Sequence, residues 1–388
     1  MIPTLKKGHR FGLCLIICLL GCSDAIINSI PTEPSNDPAI AELGLRLIPH
    51  TIEMNLEGLS QTEIDQISLG SYLVNGAAGC TGCHNSPTGE HLAGGVEFPA
   101  FFLPPDIQGN TTLFSRNLTP DPDTGLKLTE AQFIEAMKTG KDFHDSEESG
   151  QDSRMVFMPS QVYRFMLEKD LKAIYAYLKR IPPVRNPLRL SYIPGFPFPP
   201  VPPPPLSDEG SDPNGVERGL SLINIFASGP GAETFATQFN TTVNSLSAAE
   251  RAKVGRGSYL INTIADCSNC HTDGTPDGNY DGGLIPGTFD VNITGYLAGG
   301  VNLGPLLGAP FEIFTRNLTP HQETGLTLTE AQFIQVLRFG ADFRRPNGSL
   351  RTNPHFPAEF RMTLDDFSAL YAFLRAIPAV EKEVVITP

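Results

Sequence analysis

The chain has 388 residues, 40% hydrophobic and 18% charged, and a formal net charge of -14. That acidity argues against a nucleic-acid partner, whose phosphates need cationic surface, and suits either a basic docking partner or simple solubility. With 35 Pro, 37 Gly and no Trp, much of the chain must run irregularly between short elements, and its length allows two domains with linkers.

Lys6, Lys7 and Arg10 precede an apolar run from Phe11 to Leu20, the charged and hydrophobic regions of an export signal, too short for a permanent membrane span. The run ends Leu19-Leu20-Gly21-Cys22, similar to a bacterial lipoprotein cleavage box; residues 1–21 read as signal peptide and Cys22 as the lipidated first residue. An ordinary secretory signal or an uncleaved anchor is the alternative. Loss of Lys6, Lys7 and Arg10 would take the balance from -14 to -17. Residues 22–58, with a Pro-, Ser- and Asn-containing stretch from Ser29 to Pro38, read as a tether holding a body beside a membrane.

Ser60-Gln-Thr-Glu63 has capping-box spacing and opens a helical pattern through Ile64, Ile67, Tyr72 and Leu73; Ser247-Ala-Ala-Glu250 does the same later. Each helix leads into a matched stretch, Gly70-Ser-Tyr-Leu-Val-Asn75 before Cys80-Thr-Gly-Cys83-His84 and Gly257-Ser-Tyr-Leu-Ile-Asn262 before Cys267-Ser-Asn-Cys270-His271. Cys-x-x-Cys-His is the c-type haem attachment pattern: two thiols on one helical turn form thioethers to the haem vinyl groups and the adjacent imidazole reaches the iron. Zinc sites and redox dithiols share the Cys-x-x-Cys core. The following His and the lack of a further cysteine pair favour haem at both places, hence two covalently bound haem c groups. The remaining cysteines, Cys14, Cys18 and Cys22, lie in the N-terminal segment, so no disulfide is expected in the body.

The halves stay parallel beyond the cysteines. Leu92-Ala-Gly-Gly-Val96 matches Leu297-Ala-Gly-Gly-Val301, and Ser115-Arg-Asn-Leu-Thr-Pro120 matches Thr315-Arg-Asn-Leu-Thr-Pro320. Thr129 and Thr329 read as N-caps with Gln three residues on, and Gly140 and Gly340 as stops. A closing amphipathic helix follows in each half, over 168–179 and 364–375, ended by Ile181-Pro182 and Ile377-Pro378. Between the halves, Phe196-Pro-Phe-Pro-Pro-Val-Pro-Pro-Pro-Pro205 favours extended polyproline geometry, and residues 207–245 read as a short helix near Glu217 to Phe226 followed by loop. A duplication is the simplest account.

Asn117-Leu-Thr-Pro-Asp121 before a capped helix and Met158-Pro159 before the last one resemble the class I c-type cytochrome domain, above all the multihaem cytochrome c subunits of membrane-bound alcohol and gluconate dehydrogenases. The resemblance implies an all-α fold of two tandem class I cytochrome c-like domains, at 59–183 and 246–380, each around one covalent haem, joined by a Pro-rich linker and connecting segment at 184–245 and followed by a tail at 381–388. It implies His84 and His271 as proximal ligands and Met158 as distal ligand, with Met155 its rival. The second half departs from the pattern: Asn353-Pro-His355-Phe-Pro357 stands where Met-Pro is expected. His355 is the first candidate there, then Met362, then an open position. Arg116 and Arg316 are candidates for pairing with haem propionates, or else are solvated arginines. The related subunits carry three haem domains and a Trp before the capped helix; here Leu128 and Leu328 stand in the Trp places.

The expected function is that of a dihaem, lipid-tethered electron carrier on the periplasmic side of a membrane, not an enzyme, passing single electrons from a donor such as a dehydrogenase or cytochrome to a respiratory acceptor, an oxidase or soluble cytochrome. The alternative is a dihaem redox enzyme, a peroxidase or thiosulfate-type oxidoreductase, with an open or exchangeable second haem.

Overall fold

Capping boxes set where the main helices begin. In the computed structural model, which describes residues 40–98, 113–144, 155, 158–188, 212, 214–226, 231–274, 291–305, 310–341, 343 and 360–384, helix α1 spans Ile40–Leu47 and α2 spans Gln61–Tyr72. The Ser60 side chain accepts the Glu63 N–H and the Glu63 carboxylate accepts the Ser60 N–H, a reciprocal cap of the kind that contributes about 1 kcal/mol. The proposed signal segment, Cys22, the tether, the proline stretch at 196–205 and His355 lie outside the described residues.

Helix α2 widens at its end into a π turn over Leu73–Ala77, where the Ala78 N–H reaches back five residues to Leu73 O at 2.8 Å. Gly79, in the left-handed region, then breaks the chain into the short helix α3, Cys80–His84. Two two-residue strands, Glu97–Phe98 and Leu113–Phe114, pair antiparallel. Helix α4 spans Glu130–Thr139, opened by Thr129 with Gln132 and stopped by left-handed Gly140; α5 (Ser160–Tyr163) and α6 (Glu168–Leu178) follow.

The second half runs α7 (Val216–Phe226), α8 (Ala232–Asn244) and α9 (Ala248–Tyr259). A second π turn, Leu260–Ile264, leads to α10 (Cys267–His271), and α11 (Glu330–Phe339) and α12 (Leu364–Ala376) complete it. The chain is helix-rich, as expected. Helices α1 and α8 were not legible in the sequence; α8 occupies ground expected to be loop, held by Phe235, Phe239 and Val243, all buried. No helix among the described residues is long and apolar enough to cross a membrane.

The helices cross where side chains vanish. A Cβ on Gly70 of α2 would stand 1.9 Å from Ala173 O of α6, and one on Gly257 of α9 1.9 Å from Ala369 O of α12. Only glycine lets backbone meet backbone at that range. Behind the same two helices, α1 and α7 approach through Gly44 on Ser68 and Gly219 on Gly255.

Among the contacts between the halves are polar ones that are buried and reciprocal. The Tyr72 phenol donates to Asp366 Oδ2 at 2.6 Å and accepts the Thr363 N–H; the Tyr259 phenol donates to Asp170 Oδ2 at 2.6 Å and accepts the Leu167 N–H. Arg256 grips both Asp366 oxygens at 2.8 Å, and Lys169 meets Asp170 Oδ1 at 2.6 Å. Burial opposes the Arg256 charge, but the Asp366 carboxylate overrides it and holds the guanidinium pKa above its usual value. Each half thus supplies the tyrosine to one junction and the aspartate to the other. Tyr72→Phe or Tyr259→Phe takes a donor from a buried carboxylate and is expected to cost about 1–3 kcal/mol in denaturant unfolding, with the double variant departing from additivity because Arg256 binds Asp366 and lies over the Tyr259 ring at 5.9 Å.

Candidate functional site

The cysteine motifs are presented by the same local construction twice. The π turn re-aims the chain at the end of each long helix, a left-handed residue (Gly79, φ 62°; Asp266, φ 52°) turns it, and one helical turn places the two thiols and the imidazole together. Burial pushes the Cys80 and Cys267 thiols up to about 12 and raises Cys83 and Cys270 as well. A redox dithiol needs the opposite shift to expose a thiolate nucleophile. Among the described residues no group of three or more His, Cys, Asp or Glu side chains is placed to hold a metal ion, so a protein-completed zinc site is not formed there.

Each imidazole is fixed by a backbone carbonyl. His84 Nδ1–H donates to Arg116 O at 2.8 Å and His271 Nδ1–H to Arg316 O at 2.7 Å, which puts the proton on Nδ1 and the ligating lone pair on Nε2. Burial lowers the His84 pKa, partly offset by the Arg116 carbonyl, so the ring is held neutral, as a metal ligand must be. The repeated Leu-Ala-Gly-Gly loops make room for those carbonyls. Gly94 (φ 71°) and Gly299 (φ 70°) would, with a Cβ, stand 2.5 Å from Arg116 C and O and 2.4 Å from Arg316 C. The loop closes on the motif because the Gly94 N–H donates to His84 O and the Gly299 N–H to His271 O, both at 2.7 Å.

Asn-Leu-Thr-Pro acts behind that loop. The Asn117 carbonyl accepts the Thr119 N–H and hydroxyl, while its amide donates to Val184 O at 2.7 Å; Asn317, Thr319 and Val380 repeat the set. The motif therefore ties the carbonyl-bearing strand to the segment after the closing helix.

The remaining sequence candidates fall as follows. Arg116 Nη2 pairs with Asp142 Oδ2 at 2.5 Å, a partner not foreseen, and Arg316 is partly buried. Met158 is partly buried against the core, while Met166 and Met362 are within it at 1% and 0% exposure. Met155 is partly buried and its N–H donates to Gly140 O. Unforeseen was a polar chain beside the first motif: the Asn75 amide donates to Ser71 Oγ and to the Tyr177 hydroxyl, both at 3.0 Å, and that hydroxyl lies 3.0 Å from His91 Nε2. The signal was present in the repeat, where His91 and Tyr296 hold the same place before Leu-Ala-Gly-Gly.

Two thiols on one turn beside an imidazole whose Nδ1–H is held by a backbone carbonyl form a donor set that fits haem attachment. No protein-family model matches the chain. It is 27% identical to the fructose dehydrogenase cytochrome subunit of Gluconobacter japonicus over 81% of this chain and 53% of that one. It is 25% identical to the gluconate 2-dehydrogenase cytochrome c subunit of Pantoea cypripedii, over 81% and 60% of the two chains. The chain is similar to dehydrogenase cytochrome c subunits. A third such relative is the alcohol dehydrogenase (quinone) cytochrome c subunit of Gluconobacter oxydans, 24% identical over 81% of this chain and 55% of the relative. The chain spans little more than half the length of these relatives. The resemblance seen in Asn117 to Asp121 and Met158-Pro159 thus extends over most of the chain.

Gly94→Ala and Gly299→Ala test the carbonyl clamp. Each is expected to lower stability by about 1–3 kcal/mol through overpacking and left-handed strain in denaturant unfolding, and to shift the ring-nitrogen NMR signals of the facing histidine. Gly89→Ala, at a left-handed glycine with open space around it, controls for strain without the clash and should leave those signals in place.

Proposed function

We propose that the chain is a dihaem c-type cytochrome that carries single electrons from a dehydrogenase to a respiratory acceptor. The observation that supports it most strongly is the paired construction itself: two Cys-x-x-Cys-His turns, each with its imidazole held by a backbone carbonyl, in a chain similar to cytochrome c subunits. When bound, each haem supplies a one-electron iron couple. Cys80 and Cys83 hold the first haem and Cys267 and Cys270 the second; His84 and His271 present neutral Nε2 atoms to the irons. Met158, on the turn into α5, completes the first iron's coordination, and His355 the second's. Arg116, paired with Asp142, and Arg316, in the matching place in the repeat, bind haem propionates.

On this reading the first domain comprises residues 59–183 and the second 246–380. Cys22 carries the lipid that holds the body at the periplasmic face of a membrane. The donor is a dehydrogenase, since the relatives are named as subunits of enzymes acting on fructose, gluconate and alcohol. The acidic surface favours docking to basic partners.

Purified holoprotein should contain two covalent haems per chain by pyridine haemochrome assay against protein mass, falling to one in Cys80→Ser/Cys83→Ser and in Cys267→Ser/Cys270→Ser. Potentiometric titration should resolve two low-spin couples. A chain exported with no covalent haem would sink the proposal, and a high-spin haem with peroxide turnover would move the second site to the enzyme alternative.

A further inference from the structure

The two halves differ most in the polar layer between the cysteine-bearing helix and the closing helix. In the second half Tyr296 is fully buried, its hydroxyl donating to Asn262 Oδ1 at 2.6 Å. Helix α8 covers this layer: Phe235 stacks edge-on against Tyr296 with ring centres 5.8 Å apart, and Phe239 against Phe373 at 5.9 Å. In the first half the same places are held by His91 for Tyr296 and by Tyr177 for Phe373. His91 keeps part of its surface in water. Its Nε2 meets the Tyr177 hydroxyl, which is bound by the Asn75 amide of the π turn leading to Cys80. Tyr177 lies within electrostatic reach of the Cys80 sulfur, which contributes to its raised pKa behind burial itself.

We propose that His91 is a proton-binding site coupled through Tyr177 and Asn75 to the first haem, so that one electron gained there is accompanied by a proton taken from water onto His91 Nε2, and both leave on oxidation. The inference rests on haem attachment at Cys80, Cys83 and His84. The electron comes from the one-electron donor of the proposed function. The corresponding layer of the second half holds a phenol and a phenyl ring beneath α8, neither of which titrates near neutrality.

The hydrogen bonding sets the resting state. Asn75 Nδ2–H donates to the Tyr177 oxygen, and when His91 is unprotonated at Nε2 the phenol O–H, 3.0 Å away, is placed to donate to that nitrogen. The groups facing His91 are the Tyr177 phenol from α6 and, behind it, Asn75 and the Cys80 thiol. Adjacent Glu90 is turned back onto Ser86 and Thr88. Burial is the one resolved cause of the His91 shift and pushes its pKa down to about 4. Adding an electron nearby removes a positive charge and raises the affinity of His91 for a proton. The first potential should therefore fall as pH rises, over a window that opens near 4 and closes at the higher pKa that His91 has in the reduced protein.

The test is potentiometry of the dihaem protein between pH 4 and 8. The first couple is identified by its absence from Cys80→Ser/Cys83→Ser. Wild type should show a pH-dependent first potential, each pH unit within the window changing the reduced-to-oxidised ratio at fixed applied potential by up to about tenfold. His91→Tyr with Tyr177→Phe, which rebuilds the pair found in the second half, should abolish that dependence and leave the second couple's pH profile unchanged. Tyr177→Phe alone removes the hydrogen bond to unprotonated Nε2 and should move the window to higher pH. An unchanged first-couple slope in the double variant overturns the proposal; if that variant does not fold, an unmoved window in Tyr177→Phe does so. Failure of the haem assignment would show separately, as no haem mass on the peptide containing Cys80 and Cys83.

Discussion

Two backbone carbonyls, those of Arg116 and Arg316, hold the imidazoles that follow the cysteine pairs, and much else in the structure serves to bring them there. The long helix must end near the closing helix, which glycine-to-carbonyl crossings at Gly70 and Gly257 permit. The chain must turn back over the histidine, so Leu92 and Leu297 adopt left-handed conformations at φ 56° and 54°. Such strain costs of order 1 kcal/mol. It persists because both leucine side chains are fully buried and the loop hydrogen bonds to the motif itself. Asn117 and Asn317 then anchor the carbonyl-bearing segment to the chain beyond the closing helix.

A second constraint is the seam. Tyrosine and aspartate are exchanged between halves in two buried junctions, and the Arg361 N–H donates to Gly76 O at 3.1 Å beside the first π turn. Buried charge networks of this kind add less to stability than to selecting one arrangement, because a misaligned pair leaves an uncompensated charge. The arrangement brings the motifs near each other: Cys83 and Cys270 lie within electrostatic reach of one another.

Matched motifs do not give matched surroundings. Where Gly79 precedes the first cysteine, Asp266 precedes the second, its carboxyl bound to Asn269 and pushed by burial up to about 7. Where His91 meets water, Tyr296 is sealed beneath α8. Charge, hydrogen bonding and solvent access are levers that set the potential of a redox centre, and here they differ between halves built on one plan.

What could be read from the chain alone was whatever depends on neighbours in sequence. Cys-x-x-Cys-His, the four capping boxes, the glycine stops and the two closing helices are local codes, since a cap or a helical turn is complete within four residues. The π turns, the Arg116 and Arg316 carbonyls, the Arg116–Asp142 pair and the Tyr–Asp exchange were not legible, because a backbone carbonyl carries no residue identity and the Tyr72–Asp366 contact joins positions 294 apart in sequence. Helix α8 was missed because its buried phenylalanines have meaning only against Tyr296 and Phe373. The sequence by itself determined which atoms are available to hold a haem; the tertiary structure decided how those atoms are oriented, protonated and shielded, since those properties come from groups brought close only by packing.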